Sequence, residues 1–344
     1  MIVETGFKNG YFEVHSMHYV IGSFNIQDFN LTKSFDKLAE IILSENMDVV
    51  GIQEVNSKTA VDLLVNALNR RSNLMAEWKG SFPTYPRSRD ESGESYAFIW
   101  NERRLSLVDV RGKENPRLIE NFSIKGIPGQ RELLRNPYFA RFTAKGHLGG
   151  SNFEIRLINT HIRFSKGIRD IECLDTKEQM RKNELDLLVK EILPYCGDIR
   201  TGNNMPAYTF LLGDYNLCLD NSGGGSCRID EIMPGNQKTW KRYYRTVQNL
   251  PTSLKRPNSD SAIKDDEDIE TEQLTEITDY YSKNYDHFSY DIELEDKMLI
   301  SPSRVEAVDS LYKKETDRNE RLKLYRDKIS DHVPIKITVD LTRG

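Results

Sequence analysis

The hydrophobic residues at the end of the chain alternate with polar ones. Between residues 333 and 341, every second position is Val, Ile or Leu. This period of two is typical of a strand with one buried face. Asp331 and His332 stand just ahead of it. The sequence therefore places an acid and an imidazole at the entrance to a predicted core strand.

Strands and helices alternate in the first part of the chain. Residues 18 to 26 and 47 to 55 are rich in apolar residues and are predicted to be buried strands, and residues 34 to 45 have the spacing of an amphipathic helix. This order of strand, helix and strand favours a layered α/β structure. Further strands are predicted at 95 to 100, 105 to 110, 138 to 144, 153 to 160 and 208 to 213.

Another helix is predicted over residues 175 to 193. Asp175 and Glu178 have the spacing of a capping box. Four apolar residues can share one face of this helix, namely Met180, Leu185, Leu188 and Ile192. Because no repeat or linker is visible, a single domain is expected over residues 1–344, with a polar acidic insertion or loop around 251–284.

Composition limits the classes of protein that the chain can represent. With 344 residues, 38% of them hydrophobic, the chain can bury a large core. Its net charge of −5 creates no general attraction for nucleic acid, so such affinity would have to be local. The four cysteines form no CxxC pair and fit reduced thiols inside a cell. Neither a signal peptide nor a long apolar run is visible, so we expect a cytoplasmic protein without a membrane partner.

Polar residues recur at the ends of the predicted strands. Ligand sites in layered α/β folds gather outside the carboxyl ends of strands, so these side chains are expected to meet. Carboxylates and amides suit a hard cation, and imidazoles suit acid–base chemistry. The residues concerned are Asn25, Glu54, Asn159, His161, Asp214, Asn216, Asp286, His287, Asp331 and His332.

Eight motifs together resemble those of the endonuclease/exonuclease/phosphatase superfamily, in its deoxyribonuclease I-like branch. They are SFNIQDF, VVGIQEV, ESYAFIW, LRNPYFARF, INTHI, LLGDYNL, NYDHFSYD and ISDHVPI, in the order of that family and over nearly the whole chain. The resemblance implies a four-layer α/β/β/α sandwich with two packed mixed β-sheets and a site at their common edge. It also implies hydrolysis of a phosphoester with Mg²⁺, for which Mn²⁺ could substitute.

The resemblance assigns a role to each matching residue. Glu54 would be the principal metal ligand, with Asn25 and Asp331 close to the ion, because oxygen ligands suit Mg²⁺. Six residues would form the catalytic group that transfers protons and positions water and phosphate: His161, His332, Asp214, Asn216, Asp286 and Glu94. Within this group Glu94 would orient His161, and Asp286 would orient His332.

Substrate contacts are predicted from two sources. The resemblance places Arg135, Tyr96 and Asn159 among them. The second source is the stretch KTWKRYYRTVQN at 238 to 249, where basic and aromatic residues are interleaved. That composition can bind phosphates and stack on bases or sugars, but it is equally compatible with an ordinary amphipathic helix. Its predicted contacts are Lys241, Arg242 and Arg245.

The function that these motifs favour is a Mg²⁺-dependent phosphodiesterase, specifically an endonuclease that cuts DNA. One alternative is a phosphatase or phosphodiesterase acting on an inositol- or lipid-type phosphate. The WTDR pattern of inositol phosphatases is missing, however, because NYDHFSYD occupies that place. A second alternative is a catalytically inactive binding module on the same fold.

Overall fold

Two six-stranded β-sheets and a separate hairpin contain the strands of the described part of the chain. The computed structural model describes residues 5–8, 11–14, 18–72, 76–83, 93–110, 112–120, 122, 133–145, 151–164, 177–199, 205–219, 250–255, 280–290, 294 and 299–340. In chain order, the strands are β1 (Thr5–Lys8), β2 (Tyr11–Val14), β3 (His18–Phe29), β4 (Val49–Val55), β5 (Trp78–Ser81), β6 (Ser95–Asn101), β7 (Leu105–Leu107), β8 (Arg117–Leu118), β9 (Tyr138–Lys145), β10 (Ser151–His161), β11 (Ala207–Asp214), β12 (Asp286–Tyr290), β13 (Leu299–Arg304) and β14 (Ile335–Asp340).

Helices connect many of these strands. In chain order they are α1 (Phe35–Ser44), α2 (Lys58–Arg71), α3 (Lys177–Leu187), a π-helical turn (Leu188–Ile192), α4 (Leu193–Gly197), α5 (Ala307–Leu311) and α6 (Arg318–Lys328). Among the described residues, no helix is long and apolar enough to cross a membrane.

Both sheets are mixed. The strand order of the first sheet is β13-β14-β3-β4-β6-β5, and that of the second is β12-β11-β10-β9-β7, with β8 also paired to β9. The β3–β4 and β10–β11 pairs are parallel. The other neighbours are antiparallel. Each sheet therefore has one central parallel pair whose carboxyl ends lie at the same edge.

Three apolar clusters separate four layers. One lies between the first sheet and helices α1, α2, α5 and α6, one lies between the two sheets, and one lies between the second sheet and helices α3 and α4. Representative members are Val50 and Leu64 in the first cluster, Phe98 and Phe210 in the second, and Leu185 and Leu211 in the third. The predicted α/β/β/α sandwich with two packed mixed sheets is confirmed.

Strand β4 shows why a largely apolar run indicates a buried strand. Val49 belongs to the cluster between the sheets, whereas Val50 and Ile52 belong to the cluster under the helices. Alternate residues of a strand point to opposite faces, so a strand that is buried on both faces is largely apolar. A Cβ added at Gly51 would lie 2.5 Å from Leu212 Cδ1. The two sheets therefore approach closely at this strand.

The helix predicted over 175 to 193 is found in modified form. Helix α3 continues through the π-helical turn into α4. The predicted apolar face is confirmed, because Met180, Leu185, Leu188 and Ile192 are all buried. Asp175 of the predicted capping box lies outside the described residues, as do the acidic run at 265 to 272 and the basic stretch at 238 to 249.

The last strand begins two residues later than the alternation predicts. It starts at Ile335 rather than at Val333. Pro334 has no N–H to donate to a ladder, and Val333 N donates to Thr252 O at 2.9 Å instead. Ser253 forms an isolated bridge with His332. Val333 therefore pairs with the segment at Thr252 and Ser253 and not with the sheet. This pairing helps to hold His332 in place.

Gly213 lies beside Asp214 and pairs with Thr160 of β10. Its φ is +143°, and a Cβ there would lie 1.8 Å from Thr160 O. We expect Gly213→Ala to lower the free energy of unfolding by about 3 kcal/mol, because the overlap is with backbone. Urea unfolding would measure the loss. Gly197→Ala is the control, since the nearest atom to a Cβ there, Thr209 Oγ1, is 3.8 Å away. Equal losses in both variants would contradict the prediction.

Candidate active site

The carboxyl ends of the two parallel pairs meet at one edge of the sandwich. Asn25 lies in β3, Glu54 in β4, His161 at the end of β10 and Asp214 at the end of β11. Antiparallel strands begin at the same edge, so Asp286 opens β12 directly opposite Asp214. His161 is the partner of Asp214 on its other side. Three neighbouring strands therefore place an imidazole and two carboxylates in one row.

The backbone is unusual at two site residues. Glu54 has a φ of +59° and Asn216 a φ of +49°, values that non-glycine residues seldom adopt. The register of β4 against β6 shifts between Ile52 and Val55, around Glu54. Such irregularities redirect a side chain away from the regular alternation of a strand. They allow Glu54 to project beyond the sheet instead of into its packed faces.

Asp214 is the centre of the site. Its Oδ2 accepts a hydrogen bond from Asn25 Nδ2 at 2.9 Å. The same oxygen lies 3.7 Å from His161 Nε2 and 3.8 Å from His332 Nε2. Its Oδ1 accepts from the backbone N–H of Asn216 at 2.7 Å. Burial raises the pKa of Asp214 to about 7, against the positive charge of His332. Both imidazoles therefore point their Nε2 atoms at one carboxylate that can exchange a proton near neutral pH.

His332 forms a close pair with Asp286. Its Nδ1 lies 2.7 Å from Asp286 Oδ2. Burial by itself would lower the pKa of His332, but Asp286 and Asp214 outweigh burial and hold that pKa well above its ordinary value. His332 is therefore a cation at neutral pH. Ser330 holds the loop before it, because its Oγ donates to Asn25 O at 2.8 Å and accepts from His332 N at 3.1 Å.

His161 has a different environment. Arg135 Nη1 lies 2.6 Å from His161 Nδ1, and Arg135 Nη2 lies 2.7 Å from Glu94 Oε2. Burial lowers the pKa of His161 well below its ordinary value, and the charges of Arg135 and His332 lower it further. His161 is therefore neutral. Since a guanidinium can only donate, Nδ1 must accept and Nε2 must carry the proton.

The predicted pair of Glu94 and His161 stays a prediction, and the structure adds Arg135 to it. Glu94 Oε2 lies 3.6 Å from His161 Nδ1, but the shorter contacts of both residues run through Arg135. The order is therefore Glu94, Arg135, His161. A cation between the acid and the imidazole favours the neutral ring, whereas the predicted pair would have favoured the charged one.

The oxygen atoms beside Asp214 are suitable for a hard metal ion. Glu54 Oε1 accepts from Asn25 Nδ2 at 3.0 Å. Asn25 Oδ1 is buried and has no hydrogen-bond partner among the described residues, and an orphaned buried oxygen of this kind is a suitable metal ligand. Two sets of side chains, Glu54–Glu94–His161 and Asp214–Asp286–His332, offer ligand atoms within 4.8 Å of one another. The site can therefore hold a metal ion.

Asp331, the third predicted ligand, stays a prediction. Its carboxylate lies 3.8 Å from Arg326 Nη2. The carboxylates of Asp331 and Glu54 both act on half-buried Lys33, opposing the effect of burial, which lowers the pKa of that lysine. Glu54 and Asp331 therefore share one electrostatic neighbourhood, and Lys33 is a cation beside them that the sequence did not indicate.

Comparison with known proteins identifies the fold. A scan against models of known families gives no match, and no curated protein is significantly similar in sequence. Solved structures do match. A truncated TDP2 from Caenorhabditis elegans superposes with a TM-score of 0.52 at 14% identity, over 94% of this chain and 98% of that one. An endonuclease/exonuclease/phosphatase protein from Bacteroides vulgatus gives 0.53 at 17% identity, over 94% and 99%.

A third structure, an endonuclease/exonuclease/phosphatase family protein from Bacteroides thetaiotaomicron, gives a TM-score of 0.51 at 13% identity over 94% of this chain and 98% of that one. The chain has the endonuclease/exonuclease/phosphatase fold. The resemblance carried by the eight motifs is thus confirmed for the fold. Asp214, which belongs to the LLGDYNL motif, is the last residue of β11.

Three of the predicted substrate residues lie among the described residues, and all three are buried. Asn159 is fully buried between the sheets: its Nδ2 donates to Ile52 O and Ala97 O, and its Oδ1 accepts from Gln53. Tyr96 is buried, and its hydroxyl accepts from His161 N at 3.1 Å. Arg135 is 8% exposed behind His161. Substrate contact by these three residues stays a prediction, and in the structure their side chains also support neighbouring groups of the site. Lys241, Arg242 and Arg245 lie outside the described residues.

Thr252 is a supporting residue that the sequence did not reveal. Its Oγ1 accepts from Asp286 N at 3.1 Å and from Tyr285 N at 3.2 Å. It thereby ties the segment beside His332 to the start of β12. No local pattern marks this threonine, because its partners lie more than thirty residues away in the chain.

His287, the neighbour of Asp286, belongs to the core. It is fully buried and its Nε2 lies 2.9 Å from Leu217 O and 3.0 Å from Asn284 O. Burial lowers its pKa to about 4. The unfolded chain therefore takes up a proton as pH falls through the ordinary histidine range, while the folded protein does not.

His287 is accordingly expected to make the protein less stable in acid. Its contribution is present above the unfolded pKa of about 6.5 and decreases as pH falls, by about 2–3 kcal/mol at pH 4.5. Urea unfolding at pH 8 and pH 4.5 would measure this for the wild type and for His287→Gln, which keeps an N–H donor but cannot titrate. The variant should show the smaller loss on acidification. Equal losses of stability in the two proteins would contradict the lowered pKa of His287.

Proposed function

We propose that this protein is a Mg²⁺-dependent phosphodiester hydrolase that cleaves DNA endonucleolytically. The observation that carries the proposal is the convergence of both imidazole Nε2 atoms on Asp214 Oδ2, at 3.7 and 3.8 Å. The carboxylate of Glu54 and the orphaned oxygen of Asn25 lie beside this point. Acid–base groups and ligands for a hard cation therefore share one small site, as hydrolysis of a phosphoester requires.

The metal ligands in this proposal are Glu54 and Asn25, with Asp331 close to them. When bound there, Mg²⁺ would neutralise the phosphate and stabilise the negative charge that develops on it; Mn²⁺ could substitute. Because all three residues offer oxygen atoms, the ligand set suits these ions.

The protein's own groups would divide the proton transfers between them. Asp214, with a pKa of about 7, can accept a proton from the attacking water near neutral pH. His332 is cationic, so its Nε2–H can stabilise a phosphate oxygen or protonate the leaving oxygen. His161 is neutral and offers Nε2–H as a hydrogen-bond donor on the other side. Environments that push two histidine pKa values apart in this way indicate different roles for the two rings.

Asn216 would hold a phosphate oxygen in this scheme. Its Nδ2 donates to Ile162 O at 2.8 Å and lies 3.2 Å from His161 Nε2. The bond to Ile162 O fixes the amide, whereas the contact with Nε2 is not a hydrogen bond, because both nitrogens are donors in this tautomer. Lys241, Arg242 and Arg245 stay predicted contacts to the DNA backbone, on the strength of their basic and aromatic setting in the sequence.

A substrate panel tests the proposal. Supercoiled plasmid, linear duplex, single-stranded DNA, RNA and phosphoinositides would each be incubated with Mg²⁺, Mn²⁺ or EDTA. We expect cleavage of DNA that requires the metal ion and produces internal cuts. If only the phosphoinositides were hydrolysed, the protein would be a phosphatase and not a nuclease. Binding without hydrolysis of any substrate would indicate an inactive module on this fold.

A further inference from the structure

An aromatic ring lies exposed close to the candidate active site. Phe164 is 51% exposed and follows His161, the last residue of β10, by three positions. Three residues span at most about 11 Å, so the backbone of Phe164 lies within that distance of the backbone of His161. Exposing a phenylalanine has a cost in free energy, so an exposed ring beside a site is a candidate contact.

Other exposed apolar side chains also lie near this edge. The described residues include five large hydrophobic side chains that are exposed, namely Leu31, Leu63, Phe164, Tyr195 and Leu250. Leu31 follows the end of β3 by two residues, and Leu250 precedes Thr252 by two. Leu31 and Leu250 therefore place exposed apolar side chains on two segments that adjoin residues of the site.

Arg181 holds the ring of Phe164 from one side. Its guanidinium carbon lies 4.6 Å from the ring centroid, and its Nη1 donates to Phe164 O at 2.7 Å. The arginine belongs to α3, which packs on the second sheet. It therefore fixes both the backbone and the ring, so that half of the side chain's surface faces solvent in a defined position.

We propose that Phe164 stacks on a nucleobase next to the scissile phosphate, and that the substrate is consequently single-stranded at the point of cleavage. Aromatic side chains bind single-stranded nucleic acid by stacking on its bases. In an intact duplex the bases are stacked on one another, and exposing one of them is costly. The inference rests on the proposed phosphodiester hydrolase and narrows its substrate to a single strand, an overhang or a frayed end.

A base suits this position better than a lipid chain does. Membrane or lipid binding needs a broad apolar face, whereas Phe164 is a single ring with a cation on one side. A flat ring with a guanidinium beside it matches a flat base that is attached to an anionic backbone. Hydrolysis of lipid-type phosphates with no cleavage of nucleic acid would therefore overturn this inference.

The test uses short single-stranded oligonucleotides that have one cleavable linkage, with methylphosphonates elsewhere. One set carries bases on both sides of that linkage, and a second set carries an abasic sugar on one side or the other. With Mg²⁺ present, Phe164→Ala should raise KM for the first set by about 5- to 100-fold, the usual effect of losing one stacked base. It should leave kcat within about threefold. For the abasic oligonucleotide that lacks the stacked base, wild type and variant should be alike.

Further variants separate stacking from general apolar contact. Phe164→Tyr should behave as wild type because it keeps the aromatic face, whereas Phe164→Leu should resemble the alanine variant. Tyr195→Ala is the matched control, since Tyr195 is 47% exposed and packs edge-on against Phe122 in another part of the surface. A fluorescent base analogue at the stacked position, measured in EDTA, reports stacking without turnover, and its quenching should be lost in Phe164→Ala.

Three failures are distinguishable. If the wild type cleaves the oligonucleotides and Phe164→Ala has an unchanged KM, the proposed stacking by Phe164 is wrong, but the proposed hydrolase function stands. Wild-type protein that cleaves no nucleic acid with Mg²⁺ or Mn²⁺ would overturn both proposals. A preference for intact duplex over single strands would overturn the substrate class alone.

Discussion

Replacing Asp214 by Asn is expected to lower the turnover of a phosphodiester substrate by about two to four orders of magnitude, the range seen when a positioned acid or base is lost. The substitution keeps the shape of the side chain but removes its charge. The amide of the variant cannot accept a proton at neutral pH. The pKa of His332 should also fall, because Asp214 contributes to holding it above its ordinary value. The rate measured against pH at saturating Mg²⁺ would show both effects.

Asp48→Asn is the matched control for this prediction. Asp48 is also a buried carboxylate, with hydrogen bonds from Val20 N and Arg104 Nε at 2.9 Å each. It precedes β4 and therefore lies at the end of that strand opposite Glu54. Removing its charge should reduce stability but leave turnover of the folded protein unchanged. Turnover of Asp214→Asn within threefold of wild type would remove Asp214 from the reaction.

Glu54→Gln is expected to abolish most of the activity that Mg²⁺ supports. Deleting a group that only orients a metal ligand weakens metal binding by about 10- to 100-fold, so loss of the principal ligand should exceed that. The Mg²⁺ concentration needed for half-maximal activity should rise accordingly. A second measurement does not depend on activity: the rise in thermal unfolding temperature caused by Mg²⁺ or Mn²⁺ should disappear in the variant.

Glu45→Gln controls for the loss of a carboxylate elsewhere. Glu45 pairs with Lys336 at 2.7 Å after helix α1, and it precedes β4 rather than ending it. Its replacement should leave both the metal dependence and the metal-induced stabilisation unchanged. If Glu54→Gln retained full metal-induced stabilisation, Glu54 would not be the ligand, and Asn25 and Asp331 would become the principal candidates.

Local patterns were sufficient to predict most of the framework. Residues 49–55 had to be a doubly buried strand, because seven consecutive residues with so few polar side chains leave no face for solvent. Amphipathic spacing predicted α1 and the buried face of α3 in the same way. The elements that were not predicted are strands β1, β2, β5, β8 and β13 and helices α2, α5 and α6. Helix α6 has only two buried residues, Leu322 and Tyr325, so its hydrophobic periodicity is weak.

The residues of the candidate site were predictable because each one lies at or next to the end of a predicted strand. Parallel strands end at the same edge, so polar residues at their carboxyl ends must converge whatever the loops do. For this reason the sequence alone predicts that Asn25, Glu54, His161 and Asp214 lie close together. Asp286 and His332 joined them because the antiparallel strands β12 and β14 begin where the parallel ones end.

The sequence by itself determined the layered α/β class and the chemical types gathered at the strand ends, since periodicity and strand-end residues are local properties; the four layers were implied by the resemblance of the motifs. Only the tertiary structure decided how those groups are charged. Arg135 stands between Glu94 and His161, and Asp286 with Asp214 surrounds His332, so one imidazole is neutral and the other cationic. A pKa depends on burial and on charges that arrive from distant parts of the chain. No local pattern records which of those charges will be a few ångströms away.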